Sequence, residues 1–204
     1  MSTTKADRDQ HNLHRLIGVS DGVFAIAMTL LALEIRPPAG WSGTLQTFWP
    51  IMGSLIPYAI SFAAIAGFWT GHRRAFSYIT RTDGWVTTLN FLTLSLVSLL
   101  PAAVELFITG KGTLFTIELY LGLIAAAGLS QGLMWAVAVL AKRVEPGVTA
   151  SFAVVTFLGA VVIPVGTAAS VFYAMATGAW WAVAVALAVI VVFGRLRLRL
   201  SPDR

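Results

Sequence analysis

Apolar and polar positions divide the chain into six long apolar runs, near 15–35, 46–72, 84–107, 114–140, 148–176 and 179–194. Each approaches the length that crosses a bilayer core, roughly 20 residues for ~30 Å of hydrocarbon. The first run is stopped by Arg36, Pro37 and Pro38, since proline cannot continue a helix interior. A loop through Gly40 and Gly43 leads to the second run, where Pro50 and Pro57 predict a kinked or irregular start. The link HRRAFSYITRTD, 72–83, is hydrophilic. Pro101 lies near the end of the third run, and Pro164 is expected to interrupt the fifth. Thr177 and Gly178 form a tight turn into the sixth. The terminal RLRLRL alternates like a strand. After an apolar run it reads instead as a helix end with snorkelling arginines. Residues 1–13 read as a mobile charged tail, residues 14–200 as one six-helix domain and 201–204 as a C-terminal tail.

Composition decides the solvent of these runs. Hydrophobic residues make up 57% of the chain and charged residues 11%, against about 25% charged in a soluble domain. Mean hydropathy is +0.81. The runs are too long for barrel strands, so the chain is an all-α integral membrane protein. There is no cysteine, which removes disulfide and thiol chemistry. The polar start MSTTKADRDQHNLHR lacks the apolar core of a cleavable signal peptide. The net charge of +5 reflects membrane orientation rather than nucleic-acid binding. Twelve of the 14 basic residues fall on one side of six spans, leaving only Arg36 and Lys111 on the other. The positive-inside rule then predicts a multi-pass protein of the cell inner membrane or plasma membrane, with both termini cytoplasmic.

The first run, RLIGVSDGVFAIAMTLLALEI, is not a plain anchor. Arg15, Ser20 and Asp21 stand in its opening turns, where ionisable groups are costly unless they face protein or water. Ile26, Leu30 and Leu33 share one helical stripe, with Thr29 beside it. Gly22, Ala25, Ala27 and Ala32 permit close helix approach. These features predict a helix that lines something and is held by the others. A second constellation spans Phe68 to Asn90. Trp69 and Trp85 suit membrane interfaces. His72 is a boundary residue, a proton-sensitive group or a partner for Asp21. Asn90 needs a hydrogen-bond partner on another helix. Arg81 and Asp83 read as a solvated loop pair, and Glu118 and Gln131 as interhelical hydrogen-bonding groups. No metal-ligand spacing surrounds His72, and no resident cofactor is expected. Nothing resembles a nucleophile–base pair, a P-loop or paired catalytic carboxylates, so enzyme chemistry is not indicated.

Taken together, the first run and the segment FWTGHRRAFSYITRTDGWVTTLN resemble bacterial relatives of the endolysosomal potassium channel transmembrane protein 175 family. That family opens its first helix with Arg-x-x-x-Phe-Ser-Asp. Here the motif reads Arg15, Val19, Ser20, Asp21. The later matches are Phe68, Trp69, His72, Arg81, Asp83, Leu89 and Asn90, and the resemblance covers roughly residues 15–101. It implies a homotetramer of six-helix subunits with the first helix of each around a central pore. It also implies a cation channel favouring potassium without a Thr-Val-Gly-Tyr-Gly filter, a motif this chain lacks. By the resemblance, the pore bottleneck falls on Ile26, further apolar layers on Leu30 and Leu33, and the selectivity threonine on Thr29.

The expectation is therefore a potassium-permeable channel whose partners are its own copies, the lipid bilayer and monovalent cations. Arg15, Ser20, Asp21, Trp69, His72 and Asn90 are expected to knit the first three helices together. Two rivals are a secondary transporter, suggested by the prolines of the second and fifth runs, and a non-conducting scaffold. The transporter lacks the internal repeat and midplane charge typical of that class.

Overall fold

The computed structural model describes residues 5–35, 42, 45–110 and 112–202, with side chains from residue 7 in the first helix and from residue 55 in the second. Expectations resting on Arg36, Pro37, Pro38, Gly40, Gly43, Lys111 and Arg204 lie outside those residues. The described chain forms α1 (Lys5–Leu33), α2 (Leu45–Tyr78), α3 (Gly84–Ser98), α4 (Leu100–Thr109), α5 (Leu114–Leu140), α6 (Ala150–Thr177) and α7 (Trp181–Arg199). No strand occurs among the described residues beyond one isolated bridge. α3 and α4 together make one apolar pass, Gly84–Thr109, which with Asp7–Leu33, Leu114–Leu140, Ala150–Thr177 and Trp181–Arg199 gives five helical stretches among the described residues that are long and apolar enough to cross a membrane.

Several boundaries differ from the sequence expectation, each for a local reason. Helix α1 begins at Lys5, so the segment expected as a mobile tail is largely helical. Leu13 and Leu16 continue the helical stripe and are buried. Helix α2 runs to Tyr78, six residues past the expected end, because Ala75, Phe76 and Tyr78 pack into the core although Arg73 and Arg74 interrupt the apolar pattern. The helix continues through Pro50 and Pro57. The third pass breaks at Leu99. Pro101 cannot donate to the Val97 carbonyl and its ring crowds that group, so a new helix starts with proline in its first turn. Pro164 does not interrupt α6, which stays helical through it.

Two apolar clusters stack along the bundle. One joins Leu13 and Leu16 of α1 to Phe76 and Tyr78 of α2, Val86 of α3, Trp135 of α5 and Phe152 of α6. The other joins Phe24, Ala27 and Leu31 of α1 to Ile65, Phe68, Leu94, Val97, Val104 and Ala127. The first cluster lies at the end carrying Arg73, Arg74, Arg81, Lys142, Arg143 and the α7 arginines. Two links at that end are fastened to each other. Thr80 N–H donates to the Arg143 carbonyl at 2.8 Å and Glu145 N–H to the Tyr78 carbonyl at 2.9 Å. Asp83 is more than a solvated loop residue. It caps α3 by accepting from Val86 N–H at 2.9 Å and pairs with Arg143 at 2.8 Å.

Helices α5 and α6 approach closely through Gly128 and Gly132, a small-xxx-small pair. Pro164 leaves the Ala160 carbonyl without its usual donor four residues on. Gly128 sits against that carbonyl and the proline ring: a Cβ there would meet Ala160 O at 2.8 Å. A Cβ on Gly132 would meet Val161 Cγ2 at 2.5 Å. Alanine normally improves a helix by up to ~1 kcal/mol over glycine. Overpacking against rigid backbone costs about 1–3 kcal/mol and wins at Gly128. Gly128→Ala should therefore lower the thermal midpoint in detergent, whereas Gly122→Ala on the same helix, where the added Cβ meets nothing within 4 Å, should leave it unchanged or raise it.

Candidate functional site

Helix α1 carries two faces. Leu13, Leu16, Ser20, Phe24, Ala27 and Leu31 are buried against the other helices. The opposite face holds Asn12, Arg15, Val19, Gly22, Ile26, Thr29 and Leu33, all exposed within the protomer. These positions advance by alternating steps of three and four residues. That is the spacing of a helix seam that meets copies of itself or other helices around an axis. Ile26 is 59% exposed, Leu30 40% and Leu33 64%. The seam continues past the stripe read from Ile26, Leu30 and Leu33 to include Val19 and Gly22, and it runs out of the membrane to Arg15 and Asn12. The signal was present as a repeat, but the charged flank hid its continuity.

Thr29 projects from the same face. Its hydroxyl donates to the Ile26 carbonyl at 2.9 Å. Its proton is therefore committed to the helix and its oxygen lone pairs remain available on the exposed side.

A polar cluster fastens the back of α1. Asn90 of α3 donates through Nδ2 to Ser20 Oγ at 3.1 Å, and Ser20 Oγ donates to the Leu16 carbonyl at 2.8 Å. The Asn90 Oδ1 accepts from His72 Nε2 of α2 at 2.6 Å. The acceptor fixes the proton on Nε2 of the ring. Ser20 and Asn90 are fully buried and His72 is 1% exposed. Phe76 stacks on the imidazole at 4.5 Å between centroids, and Phe24 meets it edge-on at 5.3 Å. One amide thus joins three helices.

The remaining motif residues fall elsewhere. Asp21 does not pair with His72. It accepts from the Trp69 indole Nε1 at 2.8 Å on an exposed surface. The Arg73 guanidinium lies 5.1 Å from the Trp69 ring centroid. Arg15 is exposed and stands apart from the Ser20 cluster, in a shallow cleft with Val19, Asp83 and Phe91. Gln131 is buried and donates to the Phe68 carbonyl at 3.2 Å, while Glu118 is exposed. Two further polar pairs had no clear sequence signal. Thr93 donates to Ser130 at 2.9 Å between α3 and α5, and Ser61 meets Tyr120 at 2.9 Å between α2 and α5. Among the described residues, no group of three histidines, cysteines or carboxylates could hold a metal ion.

Comparison with known proteins matches this arrangement to a family. The profile of the endosomal/lysosomal potassium channel TMEM175 family matches residues 15–101. A potassium channel of Chamaesiphon minutus is 33% identical over 145 residues, covering 66% of this chain and 70% of that one. The chain belongs to the TMEM175 family. A potassium channel of Streptomyces collinus is 40% identical over 92 residues, covering 43% of each chain. The crystal structure of a lysosomal potassium-selective TMEM175 homolog from Chamaesiphon minutus aligns over 94% of this chain and all of that one, with a TM-score of 0.68 and 27% identity. This is a family of cation channels rather than of enzymes. The matched segment includes α1, α2 and α3, the helices joined by Ser20, His72 and Asn90.

The geometry ranks two substitutions. Asn90→Ala strands the Ser20 and His72 polar atoms in a buried site, at about 1–3 kcal/mol. Asp21→Ala removes one exposed hydrogen bond. Asn90→Ala should lower thermal stability and the yield of assembled protein well below Asp21→Ala. Equal losses in melting measurements would remove Asn90 as the organising group.

Proposed function

We propose that the protein is a potassium-permeable channel formed by a cyclic homotetramer, with α1 of each copy around a central axis. Residues 14–200 form the conducting domain. Both termini lie on the cytoplasmic side, where the basic residues gather. The observation that carries the reading is the exposed seam of α1. In this membrane protein α1 presents a row of exposed positions, Asn12, Arg15, Val19, Gly22, Ile26, Thr29 and Leu33, spaced by three and four residues, while its buried face is fixed by hydrogen bonds. One copy cannot enclose a pathway with one helix. A closed ring can, and cyclic symmetry makes every copy contribute the same side chains at the same depth.

On this reading Ile26 is the narrowest layer. Branched apolar side chains offer a cation no oxygen, so the ion keeps its water or loses it at high cost, and a narrow apolar ring resists wetting. Leu30 and Leu33 lengthen the barrier. Thr29 supplies a ring of hydroxyl oxygens whose lone pairs can replace part of an ion's hydration. Arg15 and Asp21, both exposed in one protomer, lie where adjacent copies approach. Ser20, His72, Trp69 and Asn90 position α1 without meeting the ion.

The decisive experiment is cation flux into liposomes, normalised to assembled tetramer. Ile26→Ala and Ile26→Asn should raise basal flux and weaken discrimination. Thr29→Val should lower potassium preference while assembly persists. Unaltered flux per tetramer in both Ile26 variants would remove that residue from the pathway. Native mass measurement giving a conducting monomer or dimer would overturn the ring itself.

A further inference from the structure

A second polar feature lies away from α1, at the basic end of the bundle. The last turns of α2 and α7 flank a cleft of about 510 Å³ over the start of α6. Arg73 and Arg74 enter from α2 and Arg197 from α7, with Phe152 of α6 beneath them. Tyr78 and Ser201 close one side through a 3.0 Å hydrogen bond between their hydroxyls. Among the described residues no carboxylate lines the cleft and no acidic side chain pairs with any of the three arginines. The Arg197 Nε–H is buried and makes no hydrogen bond. Thr70 and Ser77 border the same space, but their hydroxyl protons go to the Ala66 and Arg74 carbonyls at 2.8 Å each. The arginines are therefore the main donors facing the space.

Three guanidinium groups of like charge brought into one partly enclosed cleft repel one another, and each is costly to remove from water. Their convergence makes physical sense with an anion among them. Guanidinium forks match phosphate oxygens in pairs, which favours a phosphate over a simple halide. We propose that this cleft binds the headgroup of an anionic phospholipid from the leaflet at the basic end of the protein. Location selects the lipid over free phosphate. Leu198 lines the cleft, and Val191, Val192 and Leu187 of α7 are exposed along the helix leading away from it. An acyl chain can follow that apolar strip while its phosphate sits among the arginines. Basic pockets between membrane helices recognise anionic headgroups by the same chemistry. The site is independent of the α1 seam, so its test does not depend on conduction.

The test uses the purified full-length protein in detergent, with intrinsic tryptophan fluorescence read against a short-chain phosphatidylglycerol. Trp69, stacked under Arg73, reports occupancy of the cleft. Phosphatidylcholine of the same chain length and inorganic phosphate are titrated in parallel. Saturable binding of phosphatidylglycerol is expected, with the other two at least tenfold weaker. The double variant Arg74→Gln, Arg197→Gln should weaken it about thirtyfold, at roughly a fivefold loss for each arginine near an anionic headgroup. The charge-matched variant Arg195→Gln, Arg199→Gln, whose arginines are exposed on the same helix end outside the cleft, should change it less than twofold. Arg73→Gln, at an exposed position, gives an independent fivefold loss if the double variant of the half-buried Arg74 and Arg197 fails to fold. Equal losses in the two double variants, or no loss in Arg73→Gln, would overturn the site. Inorganic phosphate saturating it as tightly as the lipid would overturn the lipid assignment.

Discussion

The structure depends on one buried amide. Asn90 donates to Ser20 on α1 and accepts from His72 on α2, at 3.1 and 2.6 Å. Away from water, none of these three groups is cheaply left without a partner. Hydrophobic contacts alone would hold α1 loosely, because helices in lipid gain little from exchanging apolar neighbours. The hydrogen bonds make one rotation of α1 about its axis much better than the rest. That rotation turns Val19, Ile26, Thr29 and Leu33 away from the bundle together. The exposed seam is therefore a consequence of what is satisfied behind it.

The same constraint explains why adjacent residues part company. Ser20 and Asp21 are neighbours in sequence, but a helix turns about 100° between them. Ser20 faces Asn90 and is fully buried, whereas Asp21 lies on the surface against Trp69. A protonatable ring would be a natural partner for a carboxylate. Here the imidazole is enclosed by Phe24 and Phe76, and a neutral amide completes it without bringing a charge into the site.

Much of the fold was legible because the bilayer limits the choices. The fourth apolar run was expected over 114–140 and α5 spans Leu114–Leu140, with glycine punctuation on one side and Lys142 and Arg143 on the other. Errors gathered where helices leave the membrane. KADRDQHNLH looked like a tail because few of its residues are apolar, yet Leu13 and Leu16 bury and the helix continues. Arg73 and Arg74 suggested that α2 had ended, while Ala75, Phe76 and Tyr78 kept its inner face. Hydropathy averages all faces of a helix, so a long amphipathic end reads as a loop. The stripe of Ile26, Leu30 and Leu33 was visible in sequence. Which polar residue meets which was not, because the partners are 18 and 70 positions apart and several pairings fit a helical sketch equally well.

The two ends of the bundle also meet different physical demands. At the basic end, polypeptide leaves the membrane between α2 and α3 and between α5 and α6, exposing backbone groups that helices would have paired. The two links satisfy one another through the Ile79–Val144 bridge, and Arg143 adds an ion pair to the Asp83 that caps α3. That fastening places the start of α3 and the end of α5 on the same support. Trp135 of α5 then donates to the Ala153 carbonyl of α6 at 3.0 Å, carrying the connection one helix further. Asn90, two turns into α3, inherits its position from this frame. The placement of α1 thus traces back through Asn90 to the links at the basic end.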